Sequence, residues 1–455
     1  MRLNIAVQDP PLYTHEGGKA TPTDPFRQLK RSVLTCLLWE NVFYEKGSSV
    51  AERIAALVPQ VRPEQVAALA CEARDRMRLR HVPLFLVREL ARVKGNGTLV
   101  ADTLAHVVQR ADELGEFLAI YWKDGRCKLS AGVKRGLARA FAKFDAYELA
   151  KYNRAGAVKL RDVLFLCHAK PKDSEQESVW KRLIDGTLES PDTWEVELSA
   201  GKGKKETFER LMREKKLGGL AALRNLRNML QSGVDQGLIR ERLEAGCGRA
   251  LPFRYMEAAK HAPKLEDAIE KAMLRSMQEI TPLPGKTLLV VDTSGSMGSA
   301  ISSKSDVSRL DVACAVTVLC RHVCESPTIY ATAGDDGAGT HATMEIAPRS
   351  GFALGDAIRQ APKKIGGGGI FLVQCLRHIH EVERGAHFDR VIVFTDEQDC
   401  DQKANPQDAV RMGDYNYILN VSAEKNGIGY RNGWHLIDGW SEYVIDYIRE
   451  YESDE

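Results

Sequence analysis

No apolar run in this 455-residue sequence approaches the roughly 20 residues needed to span a bilayer; the tightest apolar cluster is Phe117–Trp122. A membrane-embedded chain is therefore not expected. The opening stretch MRLNIAVQDPPLYTHEGG meets acidic and proline residues before any apolar core could form, so no signal peptide is expected either. The ten cysteines include no CxxC pair, which fits reduced thiols in a cytoplasmic protein better than a disulfide framework. The densest group, Cys320, His322 and Cys324, falls short of the four ligands of a zinc site and reads as packed core thiols. Walker loop, HExxH, nucleophile elbow and an evident acid–base pair are all missing, so the chain is not expected to be an enzyme.

What is present divides in two. From about Asp24 to Met277 successive segments, among them FRQLKRSVLTCLLWENVF, PEQVAALACEARDRM and PLFLVRELARV, place apolar residues three and four apart, the helical spacing. Pro63 and Pro83 stand near helix starts, where a missing amide hydrogen costs least. Beyond the linker ITPLPGK the runs TLLVVD, TIYATA, RVIVFTD and YNYILNV read as buried strands, alternating with helices in RLDVACAVTVLCRHVC and GGIFLVQCLRHIHEV. The expected fold class is α followed by α/β: an N-terminal extension 1–23, a helical-repeat domain 24–281, and a doubly wound parallel sheet 282–455. Charge divides at the same place. Residues 282–455 carry 16 basic and 25 acidic side chains, leaving 48 basic and 37 acidic in residues 1–281, so a net +2 conceals a polarised chain.

In the second part, DTSGSM follows directly on the strand TLLVV. A parallel sheet binds ligands beyond the carboxyl ends of its strands, and a carboxylate with two alternate hydroxyls offers hard oxygen ligands to Mg²⁺. Asp396, ending RVIVFTD, holds the equivalent place on a later strand. A turn whose Asp and Ser only satisfy backbone amides is the competing account. These residues resemble the von Willebrand factor A domain. The resemblance implies a divalent cation, most readily Mg²⁺, on Asp292, Ser294, Ser296 and Asp396. Ile370 stands where that family places a threonine ligand, which leaves a weak, water-held or absent metal open.

In the first part, Lys128, Lys134, Arg135, Arg139 and Lys143 run through RCKLSAGVKRGLARAFAKF. The basic run continues with Lys151, Arg154, Lys159, Arg161, His168, Lys170 and Lys172. Such a run is either a solvated face or a source of salt-sensitive phosphate contacts to nucleic acid. Arg76, Arg80 and His81 stand just before Pro83, where ion pairing to acids such as Asp75 and Glu89 is one account of them. Lys202, Lys204 and Lys205 are expected in a loop.

Together LRHVPLFLVREL, KLRDVLFLCHAKP, TWEVELSAGKGKKETFERL and GGLAALRNLRNML, placed ahead of DTSGSM, resemble the Ro ribonucleoprotein family, whose body is the TROVE module. The resemblance covers about residues 24 to 450 and suggests a bacterial or phage type. It implies a ring of HEAT-like helical repeats closed by the A domain, with Arg76, Arg80 and His81 near the RNA-facing surface of that ring. It also implies small noncoding Y RNA on the outer basic surface, single-stranded 3′ ends of misfolded RNA in the central hole, and an exoribonuclease, polynucleotide phosphorylase, tethered by the RNA. Carried over residue by residue, the family's Y RNA contacts fall on Lys151 and His168; a family arginine falls on Ala155, beside Arg154. A cytoplasmic monomer acting in RNA quality control is the implied whole. A metal-dependent protein-binding adaptor built on the DTSGSM site is the alternative.

Overall fold

The computed structural model describes residues 11–153, 156–247, 250, 252–278, 280–429, 433–441 and 443–453. It divides into two compact units: residues 36–39 with 47–276, and residues up to 35 with 40–46 and 277–455. No helix among the described residues is long and apolar enough to cross a membrane.

The first unit is helical. Its helices include Pro63–Asp75, His81–Leu90, Gly97–Val107, Asp112–Tyr121, Ala131–Phe141 and Leu160–Cys167. Local chemistry sets their starts: Pro63 opens one helix, and the Ser130 hydroxyl accepts the Val133 N–H at the head of another. Stripes such as Val66, Leu69, Ala70 and Ala73, or Leu114, Phe117 and Leu118, are buried, as the spacing requires. One buried ion pair ties two of these helices together. Arg74 donates twice to Glu113, at 2.8 and 2.9 Å, and Glu113, wholly buried, also accepts the Gln109 and Arg110 amides.

The second unit is a six-stranded sheet flanked by helices, a mixed α/β arrangement. Its strands are β1 Leu283–Asp292, β2 Cys324–Asp335, β3 Thr340–Glu345, β4 Phe388–Thr395, β5 Gly413–Asn420 and β6 Trp434–Asp438. Their order is β3-β2-β1-β4-β5-β6, with β3 antiparallel to β2 and every other pairing parallel. Each of β1, β4 and β5 ends in a continuous buried run, because helices cover both faces.

Three expectations change. The long helix read from FRQLKRSVLTCLLWENVF spans only Pro25–Leu34, and this helix groups with the α/β unit, so the helical body does not begin at residue 24. The reason is Arg31: it is buried, and donates to the Glu397 carboxylate at 3.0 Å and to the Glu424 carbonyl at 2.7 Å. The linker ITPLPGK is partly strand, since β1 starts at Leu283, with an irregular register before Lys286. Lys204 and Lys205 open the helix Lys204–Arg213, while Lys202 donates to Glu197 at 2.8 Å. Cys320 and Cys324 are buried free thiols, and burial raises the pKa of both, that of Cys320 well above the ordinary thiol range.

Candidate nucleic-acid interface and the DTSGSM site

In the helical unit, Ala131–Phe141 meets Gly97–Val107 through glycine. A Cβ at Gly132 would stand 2.5 Å from the Gly97 carbonyl oxygen, and one at Gly136 would stand 2.9 Å from Leu104 Cβ. Residues four apart share a helix face, so Gly132, Gly136 and Ala140 all turn inward. That packing leaves Arg135 and Arg139 exposed and Lys134 half-buried on the outer side. The adjoining helix Leu160–Cys167 buries Leu160, Val163, Leu164 and Cys167 and ends on His168, whose φ of 54° is the left-handed C-cap conformation usually left to glycine. The exposed His168 ring accepts from Lys134 Nζ at 3.5 Å, and Lys170 stands exposed two residues on. Lys134, His168 and Lys170 thus come together from two segments of the chain.

Other basic residues are differently employed. Arg139 pairs with Asp102. Lys143 donates to the Ala105 and Val108 carbonyls at the end of Gly97–Val107, and burial lowers its pKa. Lys151 stays half-buried with its ammonium 5.6 Å from the Tyr152 ring centroid; Lys128 is exposed; Arg154 lies outside the described residues. For Arg80 and His81 the ion-pairing account holds, though the partners differ from those expected. Arg80 bonds Asp112 at 2.6 Å, Glu116 at 2.7 Å and Glu113 at 3.3 Å, and His81 lies 3.3 Å from Glu116. Helix Asp112–Tyr121 places these acids one turn apart on the face that Arg80 meets. Arg76 is exposed.

Sequence reasoning passed over Phe165. It is 57% exposed on the same short helix as His168, an uncommon state for so large an aromatic. Its signal was available: in LRDVLFLC the stripe runs Leu160, Val163, Leu164, Cys167, and Phe165 falls outside it. An exposed ring among cations offers a stacking surface for a base.

In the α/β unit, DTSGSM lies where expected, at the carboxyl end of β1 and beside that of β4. Both oxygens of the buried Asp292 are engaged: one accepts the Ser294 amide at 2.9 Å, the other the Thr395 hydroxyl at 2.7 Å. The Ser294 and Ser296 hydroxyls are 3.3 Å apart. Burial, then the neighbouring Asp396, push the Asp292 carboxyl up to about 7. Asp396, wholly buried, accepts the Gln398 amide at 3.2 Å and the Arg309 guanidinium at 2.6 Å. Arg309 also donates to the buried Glu424. Burial alone would lower the Arg309 pKa, but Glu424 and Asp396 outweigh it and raise it. Ile370 is 1% exposed and belongs to the apolar core under the sheet. The four candidate ligands are thus together, yet the donor set suits a guanidinium better than a divalent ion. Mg²⁺ demands near-octahedral oxygens at about 2.1 Å, and here one Asp396 oxygen is given to Arg309 and no side-chain oxygen stands at position 370.

Comparison with known proteins adds the following. The TROVE domain family matches residues 186–352, a stretch that crosses from the helical unit into the α/β unit. Telomerase protein component 1 of Mus musculus is 36% identical over 110 residues, and that of Rattus norvegicus 34% over 110 residues; each alignment takes in 23% of this chain. The chain spans only 4% of the length of these relatives. The crystal structure of the Deinococcus radiodurans Ro (RSR) protein superposes with a TM-score of 0.60 at 18% identity, covering 95% of this chain and 100% of that one, which is a likeness of fold.

Proposed function

We propose that the chain is a member of the Ro ribonucleoprotein family and acts as a non-catalytic RNA-binding scaffold, a reading supported by the TROVE domain match over residues 186–352 and the fold likeness to the Ro (RSR) protein. Its helical unit holds a small noncoding Y RNA on the basic face around Lys134, Arg135, His168 and Lys170. Single-stranded 3′ ends of misfolded RNA occupy the central opening that the family resemblance implies. In this reading the protein acts as a cytoplasmic monomer in RNA quality control, maturation or degradation. The bound Y RNA tethers an exoribonuclease such as polynucleotide phosphorylase.

One observation supports the reading most. The glycine-faced packing of Ala131–Phe141 turns a row of cations outward beside a strained His168 and an exposed Phe165. Phosphates would be met by the ammonium and guanidinium groups, giving affinity that falls steeply with salt. Phe165 and His168 would give an unpaired base a surface on which to stack, worth about 1–3 kcal/mol per base. A solvated face would need neither the ring nor the left-handed histidine.

The experiment compares two ligands. Lys134→Ala with His168→Ala should weaken binding of a short stem-loop RNA more than binding of a bare single strand. Equal losses for both ligands would remove these residues from a Y RNA site, and absence of RNA binding by the wild-type protein at low salt would end the reading altogether.

A further inference from the structure

We infer that the DTSGSM site of the α/β unit works without a metal ion, with the Arg309 guanidinium as its resident cation and the chain's own residues 14–18 and 43–45 as its lid.

Asp292, Asp396 and Glu424 are each 0% exposed at the carboxyl ends of the strands. Buried carboxylates need a cation, because leaving such charge uncompensated costs several kcal/mol per ion. A bound divalent ion would be one source; this chain provides another. Arg309 is 1% exposed, and its planar fork bridges Asp396 and Glu424. It is built in at the backbone. Arg309 opens the helix Arg309–Val323 after a capping box, in which Ser308 and Asp311 exchange hydrogen bonds of 3.0 Å, and its own amide donates to the Ser299 carbonyl at 2.9 Å. The side chain therefore leaves the helix start directly beneath the DTSGSM loop. Ile370, in the position of the missing ligand, packs into the core and helps no ion.

The solvent side is closed by the same chain. The Tyr44 and Phe43 rings stand over the Arg309 guanidinium, with centroids 5.6 and 6.0 Å away. The Tyr44 hydroxyl bonds Ser296, the outermost of the candidate ligands, and donates to Glu16 at 2.5 Å. The lid is fastened on both flanks: Thr14 and Gly18 bond the Asp399 carbonyl at 2.8 and 3.0 Å, and the Lys425 amide donates to Glu45 at 2.7 Å. Gly18 leaves no clearance, since a Cβ there would meet that carbonyl oxygen at 2.2 Å. The face on which a partner's carboxylate would complete a bound metal is covered by Tyr44. This makes the site an internal lock that joins residues 14–18 and 43–45 to the sheet, and it removes the basis for a metal-dependent adaptor.

The test uses the full chain stripped with EDTA. Mn²⁺ uptake is read by electron paramagnetic resonance and elemental analysis, and thermal midpoints are compared in EDTA and in excess Mg²⁺. The expected result is no stoichiometric uptake and no shift of the α/β transition. One Mn²⁺ per chain, lost in Ser296→Ala, would overturn the inference. Ile370→Thr restores the missing ligand but keeps Arg309, and should still take up no metal; uptake there would show that Arg309 does not hold the ion's place. Arg309→Met combined with Ile370→Thr should gain Mn²⁺ binding, and a folded double variant that stays metal-free would count against the inference. These readouts are independent of RNA binding, so failure here and failure of the RNA proposal are told apart.

Discussion

Replacing Lys134, Arg135 and Lys170 together with alanine removes three cations from the face proposed to hold RNA. Arg135 and Lys170 are exposed and Lys134 half-buried, and none has a carboxylate partner among the described contacts, so each is available to a phosphate. Each phosphate neutralised releases condensed counterions, contributing about 0.7 to 0.9 to the slope of log K against log salt. Three lost contacts should flatten that slope by about 2 to 3 and, near 0.15 M salt, weaken binding by about fifty- to two-hundredfold. Arg139→Ala is the internal comparison. Its guanidinium already pairs with Asp102, so its loss should alter the slope by well under one contact's worth. The assay is fluorescence anisotropy of a labelled stem-loop RNA titrated at four or more salt concentrations, with circular dichroism to confirm that each variant is folded. A triple variant whose slope equals that of the wild type would refute the placement of phosphates on this face.

Three further outcomes follow from the packing. Gly136→Val should destabilise the helical unit by about 1–3 kcal/mol, because the added carbons meet Leu104 and Ala101; urea titration measures it, and an unchanged midpoint would contradict the close approach. Glu113→Gln should cost about 3–5 kcal/mol by leaving Arg74 buried without its charge partner, again read by denaturant titration. Asp399 supplies a pH test. Burial pushes its carboxyl up to about 7, so the folded state holds the proton more tightly than the unfolded chain. That contribution is complete below the ordinary carboxylate pKa near 4 and is lost as pH rises through about 7. Asparagine cannot ionise, so Asp399→Asn should gain stability relative to wild type between pH 5 and pH 8, on the order of 2 kcal/mol. Thermal midpoints across that range measure it, and a constant difference would contradict the assignment.

Much of the fold was legible because its signals are local. TLLVVD and RVIVFTD announce buried parallel strands by their uninterrupted apolar runs LLVV and VIVF, and the helical segments announce themselves by spacing. β3 and β6 escaped for physical reasons. THATME is a half-exposed antiparallel edge, and WHLID has only five residues. The helix Pro25–Leu34 was recognisable as a helix but not as part of the α/β unit, since the partners of Arg31, Glu397 and Glu424, stand more than 360 residues away.

The same distinction governs the sites. Asp292, Ser294, Ser296 and Asp396 were found from spacing at strand ends, whereas Arg309 meets its carboxylates 87 and 115 residues further along. Nothing local marks it as more than a helix-start arginine. On the helical unit, charge alone could not separate free cations from committed ones. Lys134 and Arg139 look alike in the sequence, yet one touches His168 and the other is bound to Asp102. Phe165 was readable, as a large aromatic off the buried stripe.

The most direct measurement of the central claim is ultraviolet crosslinking of the full-length protein to RNA, followed by mass spectrometry of the crosslinked peptides and sequencing of the RNA. The account predicts crosslinks concentrated between residues 128 and 170, at Phe165 or His168 above all, and a dominant short structured RNA. Crosslinks confined to residues 283–453, or none above background, would contradict it.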